Sequence, residues 1–251
     1  MKDAPHAEMP QTALRRYDAV LLDMGYTLVH FEPKQSVIFQ QALLAVDVDR
    51  SVEEVKAAID ATYADETRDA ATATFPATPD YDRETQRSYE RGILTRLGVS
   101  TDPATLEIFS PTLESWFNRP GFLRAYPEVL DVLAALRECG YRLGIVSNWS
   151  WNLRQRVAQV ELDRFFEVVW ASAYAGCNKP HPAIFHQALA QMQPAVSAGR
   201  ALYVGDSYWY DVVGARSAGL DAALLDRHGT ANGPDCPVIH DLWGILDLLG
   251  G

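Results

Sequence analysis

The chain is poor in cysteine, has no cluster of positive charge and contains no long apolar run, and each shortage closes a route. Cys139, Cys177 and Cys236 are odd in number and none stands in a CxxC spacing, so neither a disulfide framework nor a zinc site is expected. A reducing, cytoplasmic setting is the expectation. Lys and Arg number 22 against 33 Asp and Glu, a formal charge of −11, which repels a phosphate backbone; nucleic acid is not an expected partner. No apolar stretch approaches the ~20 residues that a helix needs to cross a bilayer, so no membrane partner is expected. The opening MKDAPHAEMPQTALRRY lacks the apolar region of a secretory signal, and residues 1–14 read as a flexible tail. There is no internal repeat and no low-complexity tract.

What is present is enough apolar material for a full core: 251 residues, 48% of them hydrophobic, fit one large domain or a core with a smaller companion. Short apolar runs followed by helical patterns recur through the C-terminal half: YRLGIVSN then WNLRQRVAQV, FFEVVWAS then PAIFHQALAQM, ALYVGDS then DVVGARSAGL. Strands alternating with helices predict an α/β fold with a mostly parallel, Rossmann-like sheet and helices on both faces. Such sheets bind ligands at the carboxyl ends of their strands, and Asp23, Ser147 and Asp206 each end an apolar run.

Between Phe31 and Asn118 the pattern changes to helical spacing, in SVIFQQALLAV, VEEVKAAIDATYA, RSYERGILTRLGV and PATLEIFSPTLESWF. This predicts an all-helical insert, broken at TFPATPDYD into two helical pairs. The expected division is a core over 15–32 and 119–251 and a helical domain over 33–118. Pro127 and Gly140 are placed to open and close a helix at EVLDVLAALRECG.

Four stretches carry the candidate chemistry: LLDMGYTL, GIVSN, NKPHPAIF and YVGDSYWYDVVGA. Taken singly, each has a plain structural explanation. Asp23, Asp206 and Asp211 suit turns and helix caps, Ser147 and Asn148 suit the N-cap of a helix starting near Trp151, and Lys179 suits the solvated surface. Taken together they point elsewhere. Three carboxylates converging on one cleft repel one another unless a cation joins them, and a hard, oxygen-only set favours Mg²⁺. Lys179 is placed to offset the same charge, while Ser147 and Asn148 offer a hydroxyl and an amide to phosphate oxygens.

In this order and spacing, the four stretches resemble the motif set of the haloacid dehalogenase superfamily of phosphatases, dehalogenases and phosphonate hydrolases. The resemblance runs from about Tyr17 to about Leu225, with the insert lying where that family carries a type 1 helical cap. It implies a Mg²⁺-dependent hydrolase, a phosphatase acting on a small phosphorylated metabolite through an aspartyl-phosphate intermediate. By similarity, Asp23 is the nucleophile, Lys179 steadies it and the phosphoryl group, and Thr27, Ser147 and Asn148 hold the phosphate. The implied metal set is Asp23, the Gly25 carbonyl, Asp206 and Asp211. The oligomeric expectation is a monomer or a homodimer.

One position departs from the pattern. Phosphatases of this family carry aspartate two residues after the nucleophile, as the proton shuttle, and here that residue is Gly25. A positioned general acid is worth about 10²- to 10⁴-fold in rate. Three readings stand side by side: a phosphatase whose proton comes from water or from His30, His181 or Tyr26; a dehalogenase or phosphonate hydrolase, the last requiring Lys34 or Lys56 as a Schiff-base lysine; and a weakly catalytic binding or regulatory protein. In the insert, Arg68, Arg83, Arg87, Arg91 and Arg96 are candidates to meet an anionic substrate or to lie on solvated faces. Trp149, Trp151 and Trp209 are candidates to wall the cleft or to pack.

Overall fold

The computed structural model of the chain describes residues 16–250, so the expected tail at 1–14 lies outside the described residues. Eight strands form two sheets. The large one contains β1 (Ala19–Leu22), β4 (Arg142–Ser147), β5 (Val168–Ala171), β6 (Ala201–Gly205), β7 (Asp221–Leu225) and β8 (Val238–Ile239) in the order β5-β4-β1-β6-β7-β8. Every pairing in it is parallel. Counting only its own strands, the order is 3-2-1-4-5-6, the doubly wound arrangement, whose crossovers reverse direction on either side of β1.

The reason is visible strand by strand. β1 is AVLL, all four side chains buried, as a strand covered on both faces must be. Its alternate residues face opposite ways: Val20 and Leu22 join a core with Val132, Leu133 and Leu136 of α5 (Val129–Glu138), and Ala19 and Leu21 join a second core with Ile184, Phe185 and Ala188 of α8 (Pro182–Gln191). The first core also takes α6 (Leu153–Gln159) and α10 (Gly244–Leu249); α7 (Ser172–Ala175) and α9 (Gly214–Ser217) are single turns beside β5 and β7.

The insert holds four helices as expected: α1 (Gln35–Leu44), α2 (Val52–Glu66), α3 (Pro79–Arg96) and α4 (Pro103–Phe117). Ser51 and Glu54 form a reciprocal capping box at the start of α2, and Asp102 caps α4 ahead of Pro103. The break is shorter than the sequence pattern predicts. Proline and aspartate at 79–82 read as loop, yet Thr78 accepts the Tyr81 N–H, Pro79 stands in the first helical positions, and Asp80 and Asp82 meet the positive end of the helix, so α3 starts there.

A second departure lies at the base of the insert. β2 (Val29–Phe31) and β3 (Leu123–Ala125) pair antiparallel and tie its two connections together. At three residues apiece, these strands are too short for alternation to reveal them.

Candidate active site

β1 and β6 are neighbours on either side of the reversal point, so the residues that leave their carboxyl ends meet. Asp23 follows β1 directly and its N–H donates to the Val204 carbonyl at 3.0 Å, while Asp206 follows β6. The Asp23 carboxylate is 6% exposed. Lys179, from the segment between α7 and α8, reaches it from below: Nζ lies 2.6 Å from Asp23 Oδ1, 2.6 Å from Asp211 Oδ1 and 3.0 Å from the Tyr203 hydroxyl. At 3% exposure Lys179 is no surface lysine.

Asp211 lies in a wide helical turn, 208–213, opened by the Ser207 hydroxyl, which accepts the Tyr210 N–H. It is not a helix cap. Its Oδ2 accepts the Ser207 N–H at 2.9 Å and its Oδ1 faces Lys179 and Tyr203, so both oxygens already have partners. Gly205 makes this packing feasible: a Cβ there would sit 2.3 Å from the Asp211 carboxyl carbon.

Asp206 is the carboxylate open to the cleft. It accepts a long 3.4 Å hydrogen bond from the Thr27 hydroxyl. Thr27 itself is fully buried, and its carbonyl accepts from Arg227 Nη2 at 2.8 Å. In this geometry the Thr27 hydroxyl is directed at Asp206.

Ser147, the last residue of β4, is buried at 2% exposure, and its hydroxyl acts to lower the pKa of Asp23. The Asn148 amide bridges two of the candidate stretches: Oδ1 accepts the Lys179 N–H at 2.6 Å and Nδ2 donates to the Lys179 carbonyl at 3.1 Å. Neither residue caps a helix. α6 begins at Leu153, five residues beyond Asn148, with Asn152 as its N-cap.

Charge explains the tuning of the cluster. Three carboxylates against one ammonium leave an excess of two negative charges. Burial is the largest influence on Asp23 and raises its pKa; the attraction of Lys179 opposes this and the nearby Asp211 carboxylate adds to it. For Lys179 burial acts downward, yet the Asp211 and Asp23 carboxylates outweigh it and hold the ammonium well above its ordinary range. Asp206, accessible to solvent but set deep in the cleft, is pushed up to about 7 by desolvation first and by Asp23 and Asp211 next. One ligand oxygen each from Asp23, Asp206 and Asp211 lies within 4.8 Å of the others. An oxygen-only set with two uncompensated negative charges fits Mg²⁺.

The remaining candidates separate clearly. His30 packs its ring on Tyr126 at 5.0 Å, and His181 caps α8 by accepting the Ala183 N–H at 3.1 Å. Tyr26 is 46% exposed, and desolvation and Asp206 raise its pKa, away from any use as a base. Lys34 and Lys56 are solvent-exposed, Lys56 paired with Asp60, whereas a Schiff-base lysine needs a desolvated setting. Arg68 and Arg96 both pair with Asp65, Arg83 with Asp80 and Arg91 with Glu84, and Arg87 is exposed.

Of the three tryptophans only Trp149 borders the nucleophile loop: it stacks on Phe31 at 6.2 Å, and its Cζ3 would lie 3.5 Å from a Cβ at Gly25. Trp151 lines a separate groove of about 630 Å³ with Asp82, Arg154 and Trp170, away from the acids, and Trp209 is 53% exposed.

Three contributors escape a sequence reading. Tyr203 places a hydroxyl under Lys179 from inside an apolar strand, the one polar side chain in ALYVG and thus a signal in retrospect. Arg227 holds the Thr27 carbonyl while pairing with Glu128 at 2.6 Å and lying over the Tyr126 ring; nothing local marks it. Tyr63, from α2, meets Asn148 Nδ2 at 3.2 Å.

Residues 17–219 match the model of a family described as haloacid dehalogenase-like hydrolase. A glyceraldehyde 3-phosphate phosphatase of Pyrococcus abyssi is 41% identical over 103 residues, 39% of this chain and 41% of that protein. The haloacid dehalogenase-like hydrolase domain-containing protein 3 of Bos taurus is 42% identical over 111 residues, 43% of each chain. The matched stretch thus spans about two fifths of the length of either relative. Among solved structures, a haloacid dehalogenase-type hydrolase of Bacillus subtilis bound to magnesium superposes with a TM-score of 0.74 at 20% identity, covering 94% of this chain and all of that one. With four motif stretches gathered at one reversal point of a doubly wound sheet, and a family match across most of its length, the chain belongs to the haloacid dehalogenase-like hydrolases.

Proposed function

We propose that the chain is a Mg²⁺-dependent phosphatase that passes the phosphoryl group of a small phosphorylated metabolite to Asp23 and then to water. The observation that carries this reading is one arrangement: a buried carboxylate held by Lys179, next to a second carboxylate, Asp206, that stays open to the cleft. In it Asp23 attacks phosphorus, Lys179 and Ser147 hold the phosphoryl oxygens, Asn148 fixes the Lys179 backbone, and Thr27 orients Asp206. Asp23, Asp206 and the Gly25 carbonyl would hold the metal, with Asp211 behind them keeping Lys179 in place. Bound Mg²⁺ supplies charge neutralisation at the phosphoryl group. Residues 15–32 and 119–251 act as the core and 33–118 as a cap that encloses the reaction.

The remainder of the substrate is uncharged in this reading. Of the five candidate arginines of the insert, Arg68, Arg83, Arg91 and Arg96 are engaged with acids of the insert itself and only exposed Arg87 lies outside an ion pair, which argues against a second anionic group. A triose phosphate, the substrate in the name of the Pyrococcus abyssi relative, meets that requirement.

The test is chemical trapping. Protein quenched in acid during turnover of 4-nitrophenyl phosphate and then reduced with borohydride is expected to yield homoserine at position 23, identified by peptide mass spectrometry. Turnover without that product would remove the covalent intermediate.

The Asp206 carboxyl sets a pH dependence. With its pKa at about 7 in the metal-free protein, a proton competes with Mg²⁺, and apparent affinity is expected about tenfold weaker at pH 6 than at pH 8 in calorimetric titrations. The stability effect has a definite sign. The folded pKa lies above the ordinary 3.8, so the folded state holds this proton more tightly; stability from this group is lost as pH rises from about 4 to about 7. Mg²⁺ restores it at the upper end, and the gain in Tm on adding Mg²⁺ is expected to be larger at pH 8 than at pH 6. Affinity independent of pH would take Asp206 out of the metal set.

A further inference from the structure

We propose that Tyr63, delivered by α2 of the insert, donates a hydrogen bond to the leaving oxygen of the substrate, stabilising the charge that a proton from an acid at position 25 would otherwise neutralise. This rests on the phosphatase reading above.

The argument begins with the Asn148 amide. Its orientation is fixed, because Oδ1 must accept the Lys179 N–H at 2.6 Å. The atom facing Tyr63 at 3.2 Å is therefore Nδ2, which can only donate. The phenol oxygen accepts that bond, and its own hydrogen points elsewhere. Among the described residues the Tyr63 hydroxyl makes no other hydrogen bond, so the hydrogen is free for a ligand. Burial is the largest influence on Tyr63 and raises its pKa, which keeps the hydroxyl protonated and a donor at neutral pH.

Position follows from the geometry of displacement. Attacking and leaving oxygens lie roughly in line through phosphorus. Asp23 attacks from the sheet side, so the leaving oxygen faces the insert, the side from which Tyr63 descends. Tyr63 bonds to the residue next to Ser147, and the ionised forms of Asp23 and Lys179 are close enough to bias its pKa. Its ring is held: Tyr210 meets it edge-on at 5.5 Å, and the Tyr210 hydroxyl is tied to Thr67, one turn further along α2, at 2.6 Å. Position 25 supplies no side chain to this place, because Gly25 has none and Trp149 borders the space where one would start.

The step balances without an acid. A bond forms between an Asp23 oxygen and phosphorus, the bond from phosphorus to the leaving oxygen breaks, and its electron pair stays on that oxygen. Tyr63 stabilises the developing negative charge and keeps its proton, while the alkoxide is protonated by water. A second water then attacks the aspartyl phosphate, releasing inorganic phosphate and regenerating the Asp23 carboxylate. A single donor of this kind, aimed at a developing oxyanion, is worth up to about 10²- to 10³-fold in rate.

The experiment compares Tyr63→Phe with the parent on 4-nitrophenyl phosphate, whose leaving group is already stable as an anion, and on propyl phosphate, whose leaving group is not. kcat/KM for propyl phosphate is expected to fall roughly 10- to 100-fold, against less than about threefold for the aryl ester. A plot of log kcat against leaving-group pKa is expected to steepen. Equal losses on both esters, or a loss confined to KM, would assign Tyr63 to holding the insert closed and overturn the proposal. So would a selective alkyl loss in Tyr26→Phe with none in Tyr63→Phe. Absence of Asp23-dependent turnover in the parent overturns the phosphatase reading and this proposal with it, whereas parent activity with unselective Tyr63→Phe losses overturns this one alone.

Discussion

Replacing Asp23 by asparagine is expected to lower Mg²⁺-dependent turnover of 4-nitrophenyl phosphate by on the order of 10⁴-fold or more, the scale seen when a nucleophile is removed from a group that acts as a unit. Asparagine keeps the shape and one oxygen but cannot form the acyl phosphate, so the loss should appear in kcat. The fold should not suffer. Burial and the Asp211 carboxylate raise the Asp23 pKa above its ordinary 3.8, so its ionised form costs stability at every pH above that value. An uncharged residue removes this cost, and the Tm of metal-free Asp23→Asn is expected to equal or exceed that of the parent. Activity lost together with several degrees of Tm would mean that Asp23 is structural, and activity retained would remove it as nucleophile. Aryl phosphate is the right probe because its leaving group hardly needs the proton that Gly25 cannot supply.

The second large effect is on stability. Lys179→Met leaves Asp23 and Asp211 buried without their shared ammonium, at side-chain exposures of 9% and 1%. Breaking a buried pair by deleting one partner typically costs about 3–5 kcal/mol, and a loss of that order is expected in urea unfolding at pH 8, together with loss of turnover. Two further results follow from the same electrostatics. Lowering the pH should shrink the deficit as the stranded Asp23 carboxylate takes up a proton, and adding Asp211→Asn to Lys179→Met should recover a large part of the stability and none of the activity. A cost below about 1 kcal/mol would mean that the interaction is as weak as an exposed surface pair.

The resemblance found in the sequence survives, but several of its details change in the folded chain. Ser147 and Asn148 read equally well as phosphate ligands and as a helix cap; the helix starts only at Leu153, which leaves the cap explanation without a helix. Asp211 reads as a helix cap or a metal ligand; it caps no helix, and its oxygens accept from Lys179, Tyr203 and Ser207 while one of them lies within 4.8 Å of ligand oxygens of Asp23 and Asp206. The proline and aspartate at 79–82 have the composition of a loop and the positions of a helix start, a conflict settled by the Thr78 cap. Arginines of the insert look like substrate ligands in a list of residues; acids a turn or so away on the same helices, or on a neighbouring one, account for most of them.

From its residues alone the chain determined that Asp23, Ser147 and Asp206 stand at the ends of core strands, and it determined the surplus of acid and the absent side chain at position 25. These are local properties: an apolar run, a turn signal and a formal charge depend on near neighbours in sequence. Only the tertiary structure decided which acids share Lys179, that Asp206 alone stays open, and that a tyrosine of the insert reaches Asn148. The reason is that convergence comes from parallel pairing between distant strands. Leu22 stands beside Val204 through backbone hydrogen bonds that carry no side-chain signature, and everything at the carboxyl ends of those strands inherits its neighbours from that register.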